Sequence, residues 1–180
     1  YVGFKDSIYR GKVNIIEGKK IKIGLRHLSA SRLADWSKMS SVARRALDSH
    51  FSALKLKIKE TGQPLALQDL VEMVKNDASL NKRENVRGPL LSALEELSSI
   101  RLIGRSDTID SEILKPGTLT VIDLSDLDDL RKKQMIVAYY GYKFFRQRKK
   151  GAIPPYMMLV EEAHNFCREK AEKANALSKP

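Results

Sequence analysis

The chain has 180 residues, with 42% hydrophobic and 31% charged side chains, which permits a packed core in one domain, or one and a half. No apolar run is long enough to span a bilayer and there is no signal-peptide pattern. The single cysteine, Cys167, excludes an internal disulfide or a multi-cysteine metal site, and is read as a buried small residue. A cytoplasmic location without a membrane partner is the natural inference. The net charge of +11 is unevenly spread: residues 1–60 carry 14 Lys and Arg against 5 Asp and Glu, a net of +9. Such asymmetry is the footprint of a polyanion-binding surface, with Arg44, Arg45, Lys55, Lys57 and Lys59 as the candidates to contact double-stranded DNA. A solvated lysine-rich face is the other reading of the same charges.

In chain order, Lys12 to Ile16 and Lys20 to Ile23 alternate with period two around Glu17-Gly18-Lys19. That pattern predicts a short β-hairpin with a polar outer face. Its lysines either face phosphate or keep an edge strand from pairing. From Ser29 to about Gly104 the period becomes helical. Ser29 or Ser31 caps a short helix reaching Trp36, which is read as a core anchor. Ser40 or Ser41 opens a second helix running to about Thr61, with Val42, Ala46, His50 or Phe51, Leu54 and Ile58 on one stripe; Gly62-Gln63-Pro64 ends it. Leu65 to Lys75 and Val86 to Leu97 are two more helices, the second through Leu90, Leu91 and Leu94 despite Gly88-Pro89. With Arg101 to Arg105 trailing them, this pair has the spacing of a winged helix-turn-helix. The expected recognition helix, however, carries Glu95-Glu96.

Lys115-Pro116-Gly117 is the clearest boundary. Thr118 to Leu124 is β-branched and apolar and predicts a buried strand. Ser125, with Asp128 three positions on, predicts the cap of a helix from Asp126 to about Lys150 that Gly151 terminates. Pro154-Pro155 then precede five apolar residues, Tyr156 to Val160, which end in Glu161-Glu162-Ala163-His164-Asn165-Phe166. An apolar run between breakers predicts a strand buried on both faces, so the order strand, long helix, strand is a parallel βαβ unit. Ligands bind beyond the carboxyl ends of such strands. Two adjacent carboxylates there suit a Mg–nucleotide, one holding the hydration shell of the metal and the other polarising water. An ordinary strand running into a solvated acidic turn is the plainer alternative.

The string from Pro155 to Phe166 resembles the Walker B segment of the HerA-type ATPases, in the FtsK–HerA group of DNA-pumping motors. The resemblance extends through Leu119-Thr120-Val121-Ile122-Asp123-Leu124-Ser125 and Arg148-Lys149-Lys150-Gly151, about the last third of the chain. It implies an α/β fold, part of a RecA-like P-loop ATPase core carrying a helical insertion. Residues 1–28 would be the hairpin part of that core, 29–115 the helical insertion and 116–180 the βαβ part with the Walker B strand. It assigns Glu161 to water-mediated magnesium, Glu162 to general base, and His164 and Asn165 to sensing the γ-phosphate or relaying to the next subunit. Asp123 lies near the nucleotide or merely starts the helix cap, and His164 as a hydrogen-bonded loop residue stays open. The implied cofactors are ATP and Mg²⁺. The implied partners are double-stranded DNA, a NurA-type nuclease and five further copies of the protein in a homo-hexamer. In the same family an Asp-Pro-His-Gly-Glu-Tyr turn follows the second strand, and Tyr1 matches its last residue.

None of the ten glycines opens a Gly-x-x-x-x-Gly-Lys-Ser/Thr loop. The expectation is therefore a fragment carrying the Walker B half of a nucleotide site, inactive alone. Two other classes stay open, a DEAH-like helicase, from Glu161-Glu162-Ala163-His164, and a non-enzymatic basic winged-helix DNA-binding protein.

Overall fold

Two parallel strand pairs, not a hairpin, organise the amino-terminal region. The computed structural model describes residue 8 and residues 10–108 and 114–166; Tyr1 and Cys167 lie outside the described residues. Strand β1 (Val13–Glu17) pairs in parallel with β4 (Leu119–Asp123), in the register Val13 with Leu119 through Glu17 with Asp123. Strand β2 (Ile23–Gly24) pairs in parallel with β3 (Ile103–Gly104). The alternation at 12–16 and 20–23 is real, but each run finds a partner about a hundred or eighty residues away. The reason lies in the turn. Gly18–Lys20 forms a 3-10 turn, and Gly18 lacks the positive φ that tight hairpin loops demand.

Gly18 is needed for close approach instead. A Cβ there would lie 2.7 Å from Asp126 Oδ1 and 3.0 Å from the Asp123 carbonyl oxygen. The next amide, Lys19 N–H, donates to Asp126 Oδ2 at 3.0 Å. The end of β1 is thus pinned to the turn that follows β4.

Among the described residues, those up to Lys19 and from 114 onward form one compact unit, and those from Lys20 to Thr108 form the other. The second unit is mainly helical: α1 (Ala30–Trp36), α2 (Ser41–Thr61), α3 (Leu67–Lys75) and α4 (Glu84–Ser99). Its helix starts follow the expected capping chemistry. Ser29 accepts from Arg32 N–H and Ser40 from Ala43 N–H, while Asp69 accepts from Ala66 N–H ahead of α3. The inward stripe of α2 is Ala43, Leu47, Phe51 and Leu54, turned by about one residue from the expected one; Val42 is 40% exposed. Starting the stripe at Val42 would have put His50 on the inward face. Its imidazole instead bridges Ala46 O (2.8 Å) and Asp77 Oδ2 (2.9 Å) at the edge. In α4, Val86, Leu90, Leu94 and Leu97 are buried as expected, and Pro89 is accommodated in the first turns. Trp36 is only half-buried and is no core anchor.

Beside these helices, Asp107 and Thr108 clip the extended segment that carries β2. Gly24 N–H donates to Asp107 Oδ1 (2.6 Å), Lys22 N–H to the Thr108 hydroxyl (2.9 Å), and that hydroxyl to Lys20 O (3.0 Å). Ile21 and Ile23 are completely buried as a result.

In the first unit, the helix after β4 is α5 (Leu130–Lys149), about 30 Å long and shorter than expected. Ser125 is not its cap. Asp123 Oδ1 accepts from Ser125 N–H at 2.9 Å, which closes a local turn, and Asp129 caps α5 by accepting from Arg131 N–H at 2.8 Å. β4 buries only Val121, and Leu119 is 44% exposed, so it is no fully buried strand. Residues 154–160 form no strand either, and Met157 is 89% and Leu159 77% exposed. Among the described residues no strand is hydrogen-bonded to this run in a ladder.

The end of α2 gives a direct test of its backbone account. Gly62 has φ 68° with open space around its Cβ position. Gly62→Ala should therefore lose about 1 kcal/mol through the left-handed backbone alone. Denaturant unfolding measures it, and an unchanged midpoint would mean that α2 ends differently.

Candidate functional site

Although 154–160 is not a strand, its path is defined by α5. The ring of Tyr156 packs edge-on to Phe144, with centroids 6.2 Å apart. Met158 lies over Gly141, whose Cβ position is 3.8 Å from the methionine methyl. Gln134 Nε2 donates to Asn165 O at 2.7 Å. These contacts fall at steadily earlier positions of α5 as the chain advances, so the chain runs antiparallel to the helix. α5 starts just after β4, and the returning chain therefore carries Glu161 to Asn165 back toward the carboxyl end of that strand. This is the path of the third leg of a βαβ unit, without the ladder.

The run ends in a tight turn. Glu162 has φ 52°, in the left-handed region, and leads into a 3-10 turn at Ala163–Asn165. Asn165 N–H donates to Glu162 O and Phe166 N–H to Ala163 O, both at 2.9 Å. A left-handed backbone at a non-glycine residue costs on the order of 1–3 kcal/mol and persists only where neighbours impose it. His164 Nδ1 lies 3.6 Å from Glu162 Oε2, with both side chains largely exposed. Glu161 is exposed as well.

The structure thus joins Glu162, His164 and Asn165 in one turn, with Glu161 preceding it. Asp123 is engaged with its own Ser125 turn. Among the described residues no three His, Cys, Asp or Glu side chains come together to hold a metal. A magnesium ion needs fewer, because it keeps several waters and takes one or two carboxylates besides phosphate oxygens. The oxygen-only, solvent-open carboxylates Glu161 and Glu162 fit such an ion.

The five cations of α2 do not form one patch. Arg44 is paired with Asp35 at 2.6 Å and reaches the Ser31 hydroxyl at 3.3 Å. The Lys55 ammonium lies 5.2 Å from the Phe51 ring centroid. Helical periodicity puts Arg45, Lys55 and Lys59 in one arc, with Asp48 inside it, and Lys57 on the far side of the buried stripe. Sequence reasoning missed two residues, Asp126 and Gln134. Asp126 was hidden because Ser125-Asp126 reads as a helix start. Gln134, polar beside Met135-Ile136, gave no sign of a partner 31 positions away.

In parallel α/β units, ligands bind beyond the carboxyl ends of the strands, the end toward which this carboxylate turn returns. The family described as Helicase HerA, central domain, matches residues 1–144, and the chain belongs to that family. It is accordingly related to the ATPases of the FtsK–HerA group, which use ATP and Mg²⁺ in general. The matched span includes β4 and most of α5 and ends before Glu161. No curated protein matches the chain.

Asp123 provides a pH test of the turn after β4. Hydrogen bonds from the Ser125 hydroxyl and amide hold its carboxyl below the ordinary value of 3.8, against a smaller opposing effect of burial. A depressed folded-state value means stabilisation that is present above the unfolded value and lost as pH falls through the folded one. The melting-temperature gap between wild type and Asp123→Asn should be open at about pH 6 and close on acidification below about pH 3.8. A gap that stays constant through the acid range would show that the Ser125 turn does not depend on the charge.

Proposed function

We propose that this chain carries the Walker B half of the ATP site of a HerA-like hexameric ATPase that translocates along double-stranded DNA during end processing. The observation that carries the reading is the return of the chain along α5, which brings Glu161-Glu162 back toward the carboxyl end of β4. In this reading Glu162 is the general base that takes a proton from the attacking water. Glu161 holds Mg²⁺ through water, and His164, beside Glu162, and Asn165 respond to the γ-phosphate. Bound Mg²⁺ would neutralise charge on the phosphate oxygens. Asp123 would border the nucleotide from the neighbouring strand.

The phosphate-holding loop, absent from the 180 residues, would belong to a further part of a RecA-like core. That part would cover Met157 and Leu159 and give residues 156–160 their missing ladder. The unit from Lys20 to Thr108, which starts before β2 and so earlier than the expected 29–115, would be a helical insertion in the core. Arg45, Lys55 and Lys59, in one arc of α2, would meet the phosphate backbone without reading sequence, and Lys57, on the other flank, would make a separate contact. Arg44 would join them by exchanging Asp35 for phosphate. A NurA-type nuclease partner and a cytoplasmic location complete the reading. No helix among the described residues is long and apolar enough to cross a membrane.

The two glutamates test this in the complete ATPase. Glu162→Gln preserves size and hydrogen bonding but removes the base, so turnover should fall by about 10²–10⁴ while nucleotide binding survives. Glu161→Gln should instead raise the Mg²⁺ concentration needed for half-maximal turnover. Steady-state assays with a magnesium titration separate the two, and near wild-type turnover in Glu162→Gln would overturn the catalytic assignment.

A further inference from the structure

We propose that Gln134 is a positioning residue for the Glu162 carboxylate, acting through the backbone of the 163–165 turn; the proposal rests on the general-base reading of Glu162. A single 3-10 turn is too short to hold itself, since it has only two internal bonds of modest geometry. It also begins at a left-handed glutamate, a conformation that must be imposed from outside. Gln134 supplies a constraint from a rigid element. Its amide lies one turn inside α5, is partly buried, and donates to Asn165 O at 2.7 Å. A carbonyl only accepts, so Nε2 is necessarily the atom that faces it.

The bond takes the backbone of Asn165 and not its side chain, so it fixes where the turn closes without consuming the amide that would meet a phosphate. Fixing Asn165 fixes Glu162, because Asn165 N–H is bonded to Glu162 O. Helix α5, capped by Asp129 just after β4, thereby anchors the backbone of the turn that carries Glu162. Gln134 touches neither nucleotide nor metal in this scheme. Its effect is on the probability that Glu162 stands in its working orientation.

The test uses the complete ATPase. Gln134→Met keeps the length and removes the donor; Gln134→Lys keeps a donor that reaches the same carbonyl. Loss of one neutral hydrogen bond predicts about a tenfold fall in kcat for Gln134→Met, with KM for Mg–ATP held within about twofold. Gln134→Lys should recover most of that loss. Hydrogen exchange at Asn165 and Phe166 should accelerate in Gln134→Met while the amides of α5 keep their protection.

Unchanged kcat or unchanged exchange in Gln134→Met would overturn the proposal. So would equal losses in the Met and Lys variants accompanied by lost protection along α5, which is what a merely structural role produces. Glu162→Gln run alongside separates the two levels. If its turnover collapses while Gln134→Met is unaffected, only the positioning role fails; if neither variant is affected, the general-base reading beneath it fails.

Discussion

The parallel pairing of β1 with β4 is the constraint on which the first unit depends. Residues more than a hundred positions apart are brought side by side, and the loop-closure cost grows only slowly with the length between them. A separate helical unit is therefore tolerable inside that span. The pairing is locked at its carboxyl end, where Gly18 leaves room for Asp126 and Lys19 N–H bonds to it. Parallel pairing also sets the polarity. Glu17 and Asp123 finish at the same end, and α5 leaves from there.

α5 then acts as a guide for the rest. Met135, Ile136, Tyr139, Tyr140 and Phe144 are buried, while Tyr142 and Phe145 remain exposed, so the helix is apolar on more than one side. Leu119, Met157, Met158 and Leu159 add to the uncovered apolar surface of the same unit. Exposed apolar area of this kind is what marks interaction surfaces on folded domains.

Much of this was legible in the residues. Ser29, Ser40 and Gly62 announced the limits of α1 and α2 because capping is local chemistry, readable without a partner. The leucines of α4 were legible for the same reason, through their 3.6-residue period. What failed was pairing. The hairpin reading of 12–23 failed because alternation specifies a face and says nothing of which strand lies alongside. The strand at 156–160 failed because apolar content predicts burial only if a neighbour exists to bury it. Ser125 misled because serine closes local turns as readily as it caps helices. The carboxylate turn was found as a run of letters, but its left-handed Glu162 and its tie to Gln134 are tertiary facts.

Cysteine cross-linking across the strands tests the central claim, parallel pairing of β1 with β4, most directly. Asn14 and Thr120 are register partners, and adjacent strands put such Cα atoms about 4.8 Å apart, within disulfide reach. Asn14→Cys with Thr120→Cys should cross-link under mild oxidation, whereas Asn14→Cys with Lys22→Cys, the pair that a hairpin would bring together, should not. A bond at 14 and 22 in place of 14 and 120 would contradict the pairing, and with it the polarity that returns Glu162 to the strand ends.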